Sequence, residues 1–297
     1  MIEVSFPGLG WTFHVSSVAF RIGSVEIYWY GILIAAAMIT CVALAIRQAK
    51  NNKFSGDLVY DIALVSIPCA IIGARLYYVI CEWQYYAHDL GKIFDTRSGG
   101  LAVYGGIIGA FLGAFVMLRI RKIPYSTCAD YCIVYIPLGQ AIGRWGNFFN
   151  QEAFGTTTTL PWGMYSSEVS NYLARNCPDL DFTMPVHPTF LYESIVDLAL
   201  FFILYYVRKH SKYSYETLSV YMIIYGTARF FIEALRTDSL YIGNTGLRTS
   251  QVLSVIIVVA GLLYIAFAHW KDIKRVPLPD RFFEEKKPAA KEAEAAG

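Results

Sequence analysis

Three arginines, Arg75, Arg144 and Arg229, fall inside long apolar runs, where a guanidinium at membrane depth costs at least about 2.5 kcal/mol and so marks a functional candidate. Arg144 lies in the run Gly143-Arg144-Trp145-Gly146-Asn147-Phe148-Phe149-Asn150-Gln151-Glu152. A fixed cation, several amide donors and a carboxylate in one stretch suit an anionic headgroup that also bears hydroxyls. The plainer alternative is a snorkelling arginine with a capping network. Tyr221, Tyr225, Arg229 and Glu233 recur every four residues, so all four share one helix face. That face cannot point at lipid tails. Arg229 and Glu233 could simply pair with each other, while two arginines near the outer leaflet level point to a phosphate site, because a planar guanidinium fork matches two phosphate oxygens at once. His187-Pro188-Thr189 and Tyr192-Glu193 open a further apolar run on the same side. His187 alone reads as a cap or a hydrogen-bonding residue rather than a base.

The elements that must carry these residues are membrane spans. The chain has 297 residues, 56% of them hydrophobic and only 16% charged, whereas a soluble domain carries about 25% charged residues. Seven apolar runs of spanning length are expected over residues 26–46, 58–82, 101–118, 127–147, 188–207, 215–235 and 248–269. The fold class is thus an all-α polytopic membrane protein with about seven transmembrane helices and a small extracytoplasmic head. Residues 1–25 form an outer interfacial segment held by Trp11, Phe13 and Phe20, residues 149–187 the head, and residues 271–297 a cytoplasmic tail. Basic residues gather on one side: Arg47, Lys50 and Lys53; Arg119, Arg121 and Lys122; Arg208, Lys209 and Lys212; and Lys271, Lys274, Arg275, Arg281, Lys286, Lys287 and Lys291 in the tail. The positive-inside rule makes that side cytoplasmic and the N-terminus extracytoplasmic. The start of the chain lacks the basic region and cleavage site of a secretory signal.

Gly105, Gly109 and Gly113 make a smooth stripe for close helix packing, with Tyr104 at its outer end. The six cysteines form no metal-ligand pattern and read as small buried hydrophobes. No internal repeat supports an inverted-repeat transporter. A retinal-type pump would want a Schiff-base lysine on its last span, and none stands between Gln251 and Trp270. A transporter of another design would still place arginines along an anion path.

The run from Gly143 to Glu152, followed by Phe154-Gly155, resembles the signature of the prolipoprotein diacylglyceryl transferase family. Tyr28-Trp29-Tyr30-Gly31, Gly73-Ala74-Arg75-Leu76-Tyr77-Tyr78, His187-Pro188-Thr189, Leu191-Tyr192-Glu193 and Tyr225-Gly226-Thr227-Ala228-Arg229 resemble other segments of that family in the same order. The resemblance implies a seven-helix enzyme of the bacterial cytoplasmic membrane that moves the diacylglyceryl group of phosphatidylglycerol onto the lipobox cysteine of a prolipoprotein. Glycerol 1-phosphate leaves and a thioether forms. It implies no cofactor, neither metal nor nucleotide, and as partners phosphatidylglycerol, the prolipoprotein signal peptide and membrane lipids, with no nucleic acid. Carried over residue by residue, Arg144, Arg229, Tyr104 and Glu152 become the catalytic candidates, and Tyr30, Asn147, Asn150, Gly155, Tyr225 and Glu233 the substrate-binding ones, with Glu233 orienting Arg229. One position departs from the family pattern: Tyr104 stands before the paired glycines where many members have histidine. With a pKa near about 10 a tyrosine is a poor base at neutral pH, so Tyr104 is expected to position substrate rather than take a proton.

Overall fold

In hydrocarbon every backbone polar group has to be satisfied within its own segment, so apolar runs of about 20 residues become helices. The computed structural model describes residues 1–52, 55–95, 99–243 and 245–283. Lys53, Arg97, Lys286, Lys287 and Lys291, with the rest of the expected tail beyond residue 283, lie outside the described residues. In chain order the elements are β1 (Ile2–Phe6), β2 (Trp11–Val15), β3 (Val18–Ile22), β4 (Val25–Tyr28), α1 (Trp29–Asn51), α2 (Asp57–Cys81), α3 (Trp83–Tyr86), α4 (Val103–Arg121), α5 (Tyr125–Cys132), α6 (Ile136–Asn150), β5 (Tyr165–Ser166), α7 (Ser167–Asn176), α8 (Thr189–His210), α9 (Glu216–Leu235) and α10 (Thr249–Trp270).

Among the described residues six helices are long and apolar enough to cross a membrane: α1, α2, α4, α8, α9 and α10. Their bounds follow the expected spans closely. The remaining expected span, 127–147, fourth in chain order, is not one helix. It breaks into α5, a 3-10 turn over Ile133–Tyr135, and α6. Pro137 explains the break, since it stands in the first turn of α6 and offers no N–H to the residues before it. The protein is a mostly helical, multi-pass membrane protein, with short strands added at its N-terminus. Bare side chains such as Leu64, Phe111, Phe202 and Leu263 are all at least 60% exposed, the pattern of surface that meets lipid rather than water. The cysteines are free but less deeply buried than expected, with Cys128 buried and Cys81 exposed.

The chain divides into two compact units. The first holds residues 1–41 and 129–275. Its head joins the N-terminus to the loop after α6: β1 pairs antiparallel with β2 and with β5, giving the order β2-β1-β5, while β3 and β4 form a separate hairpin. Alternation along Ile2–Phe6 turns Val4 and Phe6 inward. They pack with Phe148, Phe154, Met164, Val169, Leu173, Val186 and Phe190. Trp11, Phe13 and Phe20, expected to hold an interfacial segment, lie on β2 and β3 and are exposed. Below the head α8 packs on α6 and α9, and α9 on α10.

The second unit holds residues 42–128 together with the segment from Val276 onward. Here α2 and α4 pack at backbone distance, as the glycine stripe led one to expect. A methyl group on Gly109 would collide with the Cys69 carbonyl, and one on Gly105 with the Gly73 carbonyl. Arg75 has a structural task in this unit. Its Nε donates to the carbonyl of Ile93 (2.8 Å), Nη1 to Gly99 and Gly100 (both 2.9 Å), and Nη2 to Lys92 (2.6 Å) and Asp95 (2.7 Å). Its guanidinium also lies 5.1 Å over the Tyr86 ring. A guanidinium has five N–H groups, and all are engaged, so Arg75 ties the loop before α4 and keeps no donor for a ligand.

Candidate functional site

The C-terminal ends of α6 and α9 and the N-terminal end of α8 bring charge together in the first unit. Glu193, 3% exposed in the second turn of α8, is the shared centre. Its Oε2 pairs with Arg144 of α6. Its Oε1 lies 2.8 Å from Arg229 Nη1 of α9 and 3.8 Å from Arg236 Nη1 just beyond α9. Arg229 also pairs through Nη2 with Glu233 Oε2 at 2.6 Å, one turn further along α9. Glu233 is 1% exposed, and its backbone carbonyl accepts from Arg248. Arg236 forks onto Asp238 through Nε (2.8 Å) and Nη2 (2.7 Å). Burial alone would raise the Asp238 carboxyl, but that fork and its charge outweigh it and hold Asp238 below the usual carboxylate range.

Three guanidinium groups thus share the Glu193 carboxylate, with Glu233 and Asp238 as the further partners of Arg229 and Arg236. Asp197, one turn deeper on α8 and 2% exposed, faces the same field. Its Oδ2 has no hydrogen-bond partner among the described residues. Tyr225 lies in the field of Arg144, Arg229 and Glu193. Its ring stacks on Tyr221 at 5.1 Å, and the Tyr221 hydroxyl donates to Gln140 Oε1 at 3.3 Å.

The remaining expected site residues fall into separate groups. Glu152 accepts from Asn147 (3.0 Å) and Asn150 (3.2 Å), closing a small network just past α6. The chain turns there through Gln151 in the left-handed region, φ 53°. Gln151 is buried and donates from its amide to the Phe148 carbonyl at 2.5 Å, which caps α6. Tyr30 packs its ring on Gly146, where a methyl group would collide with it. Gly155 sits between backbone segments: its N–H donates to the His187 carbonyl (2.9 Å), and it bridges Arg236 on its other side. Tyr104, in the first turn of α4, belongs to the second unit and is 46% exposed.

Glu193, Arg236, Asp197 and Arg248 were not among the expected site residues. Glu193 and Asp197 carried a usable signal, two acidic residues four apart in an apolar run, which is as costly in a membrane as the arginines. Arg236 carried none, because it stands in a connection where loop charge is ordinary.

A multi-pass helical membrane protein with a buried arginine and carboxylate cluster beside a small strand-containing head is the class these features define. The comparisons with known proteins narrow it. The sequence profile of the prolipoprotein diacylglyceryl transferase family matches residues 17–267, and the chain belongs to that family. A phosphatidylglycerol–prolipoprotein diacylglyceryl transferase of Finegoldia magna is 46% identical over 247 residues, covering 83% of this chain and 93% of the relative. Proteins of the same name from Clostridioides difficile and Ligilactobacillus salivarius are 44% and 41% identical, covering 83% and 87% of this chain and 92% and 95% of the relatives.

Proposed function

We propose that this enzyme moves the diacylglyceryl group of phosphatidylglycerol to the lipobox cysteine thiol of a prolipoprotein, by direct displacement at a glyceryl carbon. The observation that carries the mechanism is the convergence of Arg144, Arg229 and Arg236 on the one carboxylate of Glu193. Guanidinium groups already oriented on oxygen ligands can grip phosphate oxygens in the same way, and they stabilise the charge that builds as the carbon to oxygen bond breaks. The substrate brings its own thiol, so no serine or cysteine of the enzyme has to form a covalent intermediate. The enzyme contributes proximity and charge.

Arg144 and Arg229 are the phosphate clamp, with Glu233 holding Arg229 in place. Asn147, Asn150 and Glu152 form a polar group for headgroup hydroxyls, and Tyr30, Tyr225 and Gly155 line the same approach. Tyr104, on α4, is a further candidate by the family resemblance, for positioning substrate rather than for taking a proton. The phosphate remains the leaving group of a stable phospholipid, so the scheme involves no metal or nucleotide.

A lipobox peptide mixed with the purified protein and phosphatidylglycerol should acquire diacylglyceryl in thioether linkage, one glycerol phosphate appearing per transfer. The serine version of the peptide should acquire none. Failure of transfer, together with solute uptake by proteoliposomes carrying the protein, would replace this function with a transporter.

The distribution of Lys and Arg supports a bacterial cytoplasmic membrane setting with the N-terminus and head outside and the C-terminus in the cytoplasm. A reporter active only in the cytoplasm should work at the C-terminal end and stay silent when inserted at Asn171 in α7. The opposite pattern contradicts this topology.

A further inference from the structure

Displacement by a thiol needs a group that accepts the thiol proton, and Tyr104 is poorly suited to that task. The arginine and carboxylate cluster does not supply one openly: arginines take up Glu193 and Glu233, and Asp197, whose Oδ2 is unpartnered among the described residues, is only 2% exposed one turn deeper on α8. At its rim stands a histidine held as a base is held. Trp162 Nε1 donates to the Tyr192 hydroxyl at 2.8 Å, and that hydroxyl lies 3.1 Å from His187 Nδ1. In the tautomer with its proton on Nδ1, His187 donates to the Tyr192 oxygen. Its Nε2, which no described residue bonds, then carries the lone pair.

The backbone fixes where this imidazole stands. His187 N–H donates to the Thr156 carbonyl (3.0 Å), and Gly155 N–H donates to the His187 carbonyl (2.9 Å). On its far side Gly155 bridges Arg236. His187 and Arg236 therefore both meet the backbone at Gly155, the first through a hydrogen bond and the second through a bridge. Arg236 in turn reaches Glu193, the carboxylate that the clamp arginines Arg144 and Arg229 also hold, so the histidine stands on a backbone segment beside the clamp. Gly155 has to be glycine, because a Cβ there would come within 2.7 Å of His187 Cβ and 3.1 Å of the Leu235 carbonyl.

We propose that His187 is the catalytic base of this enzyme, taking the proton of the incoming cysteine thiol at Nε2, with Tyr192 as its positioning residue. The assignment rests on the transfer reaction argued above. Nε2 takes the thiol proton, sulfur bonds to the glyceryl carbon, and the bond from that carbon to the phosphate oxygen breaks. The electron pair leaves on the phosphate held by the arginines, which then receives the proton from the imidazolium. Burial holds His187 below the usual histidine range, so the ring is neutral at neutral pH. Tyr192 of α8 is the titratable group in contact with it. The charged groups on the elements packed around it are Glu193 of α8 and Arg236 beyond Gly155, which face each other at 3.8 Å.

The test is His187→Gln with two lipobox peptides, one bearing cysteine and one bearing selenocysteine, whose selenol is already ionised at neutral pH. Loss of a general base should lower transfer to the cysteine peptide about a hundredfold or more. Transfer to the selenocysteine peptide should stay near the parent rate, which also shows that the variant is folded. The parent's rate with the cysteine peptide should rise with pH through the histidine range and then level, and the variant should lose that rise. Parent-like transfer to the cysteine peptide overturns the assignment. Equal loss with both peptides also overturns it and makes His187 a structural member of the ladder around Gly155. Absence of transfer by the parent protein itself would instead remove the reaction on which the assignment rests.

Discussion

Arg144→Lys and Arg229→Lys each lower diacylglyceryl transfer tenfold or more, a loss of about 1.4 kcal/mol or above in transition-state stabilisation. Lysine keeps the positive charge but presents a compact ammonium instead of a planar fork. In the structure Arg229 uses both Nη atoms on different carboxylates, Glu193 at 2.8 Å and Glu233 at 2.6 Å. An ammonium on a flexible stem does not hold both partners while presenting two parallel donors to a phosphate. The amount of each variant in the membrane should stay near normal, because charge balance in the cluster is unchanged. Initial rates at saturating phosphatidylglycerol, alongside membrane abundance, make the comparison. Parent rates for both variants would show that neither arginine is the clamp.

Removing the shared carboxylate has the larger consequence for the fold. Glu193→Ala strips Arg144, Arg229 and Arg236 of their common partner, with side chains only 21%, 14% and 13% exposed. Breaking a buried pair by deleting one member costs roughly 3 to 5 kcal/mol, since the remaining charge is left uncompensated. Glu193→Ala should therefore unfold at a clearly lower temperature in detergent and lose transfer. Glu193→Gln, which keeps an acceptor oxygen and the side-chain volume, should fall between it and the parent. An unchanged unfolding temperature for the alanine variant would mean that the arginines are satisfied elsewhere.

The spans were legible because their signal is local: apolar runs with charged ends mark α1, α2, α4, α8, α9 and α10 to within a few residues. The break at Ile133–Tyr135 carried a weaker mark, Pro137, which a hydropathy window averages away. The head was less legible because its sheet joins Val4 and Ser5 to Tyr165 and Ser166 across more than half of the chain. No local pattern announces such a pairing. Within the site, the four-residue spacing of Arg229 and Glu233 announced their pairing. The meeting of Arg144 with Glu193 did not, since it depends on how α6 packs against α8. Arg75 shows the opposite case: a residue conspicuous in the sequence whose donors are all used on backbone carbonyls.

Direct displacement at the glyceryl carbon is tested most directly by isotope placement. Phosphatidylglycerol carrying oxygen-18 in the bridge between the diacylglyceryl carbon and phosphorus is given to the enzyme with a lipobox peptide in a single turnover. Both products and the intact protein are then weighed by mass spectrometry. The account predicts that all of the label leaves with glycerol phosphate, that the peptide gains an unlabelled diacylglyceryl group, and that no lipid is found on the enzyme chain. Label retained on the diacylglyceryl product, or lipid covalently attached to the enzyme during turnover, would contradict it.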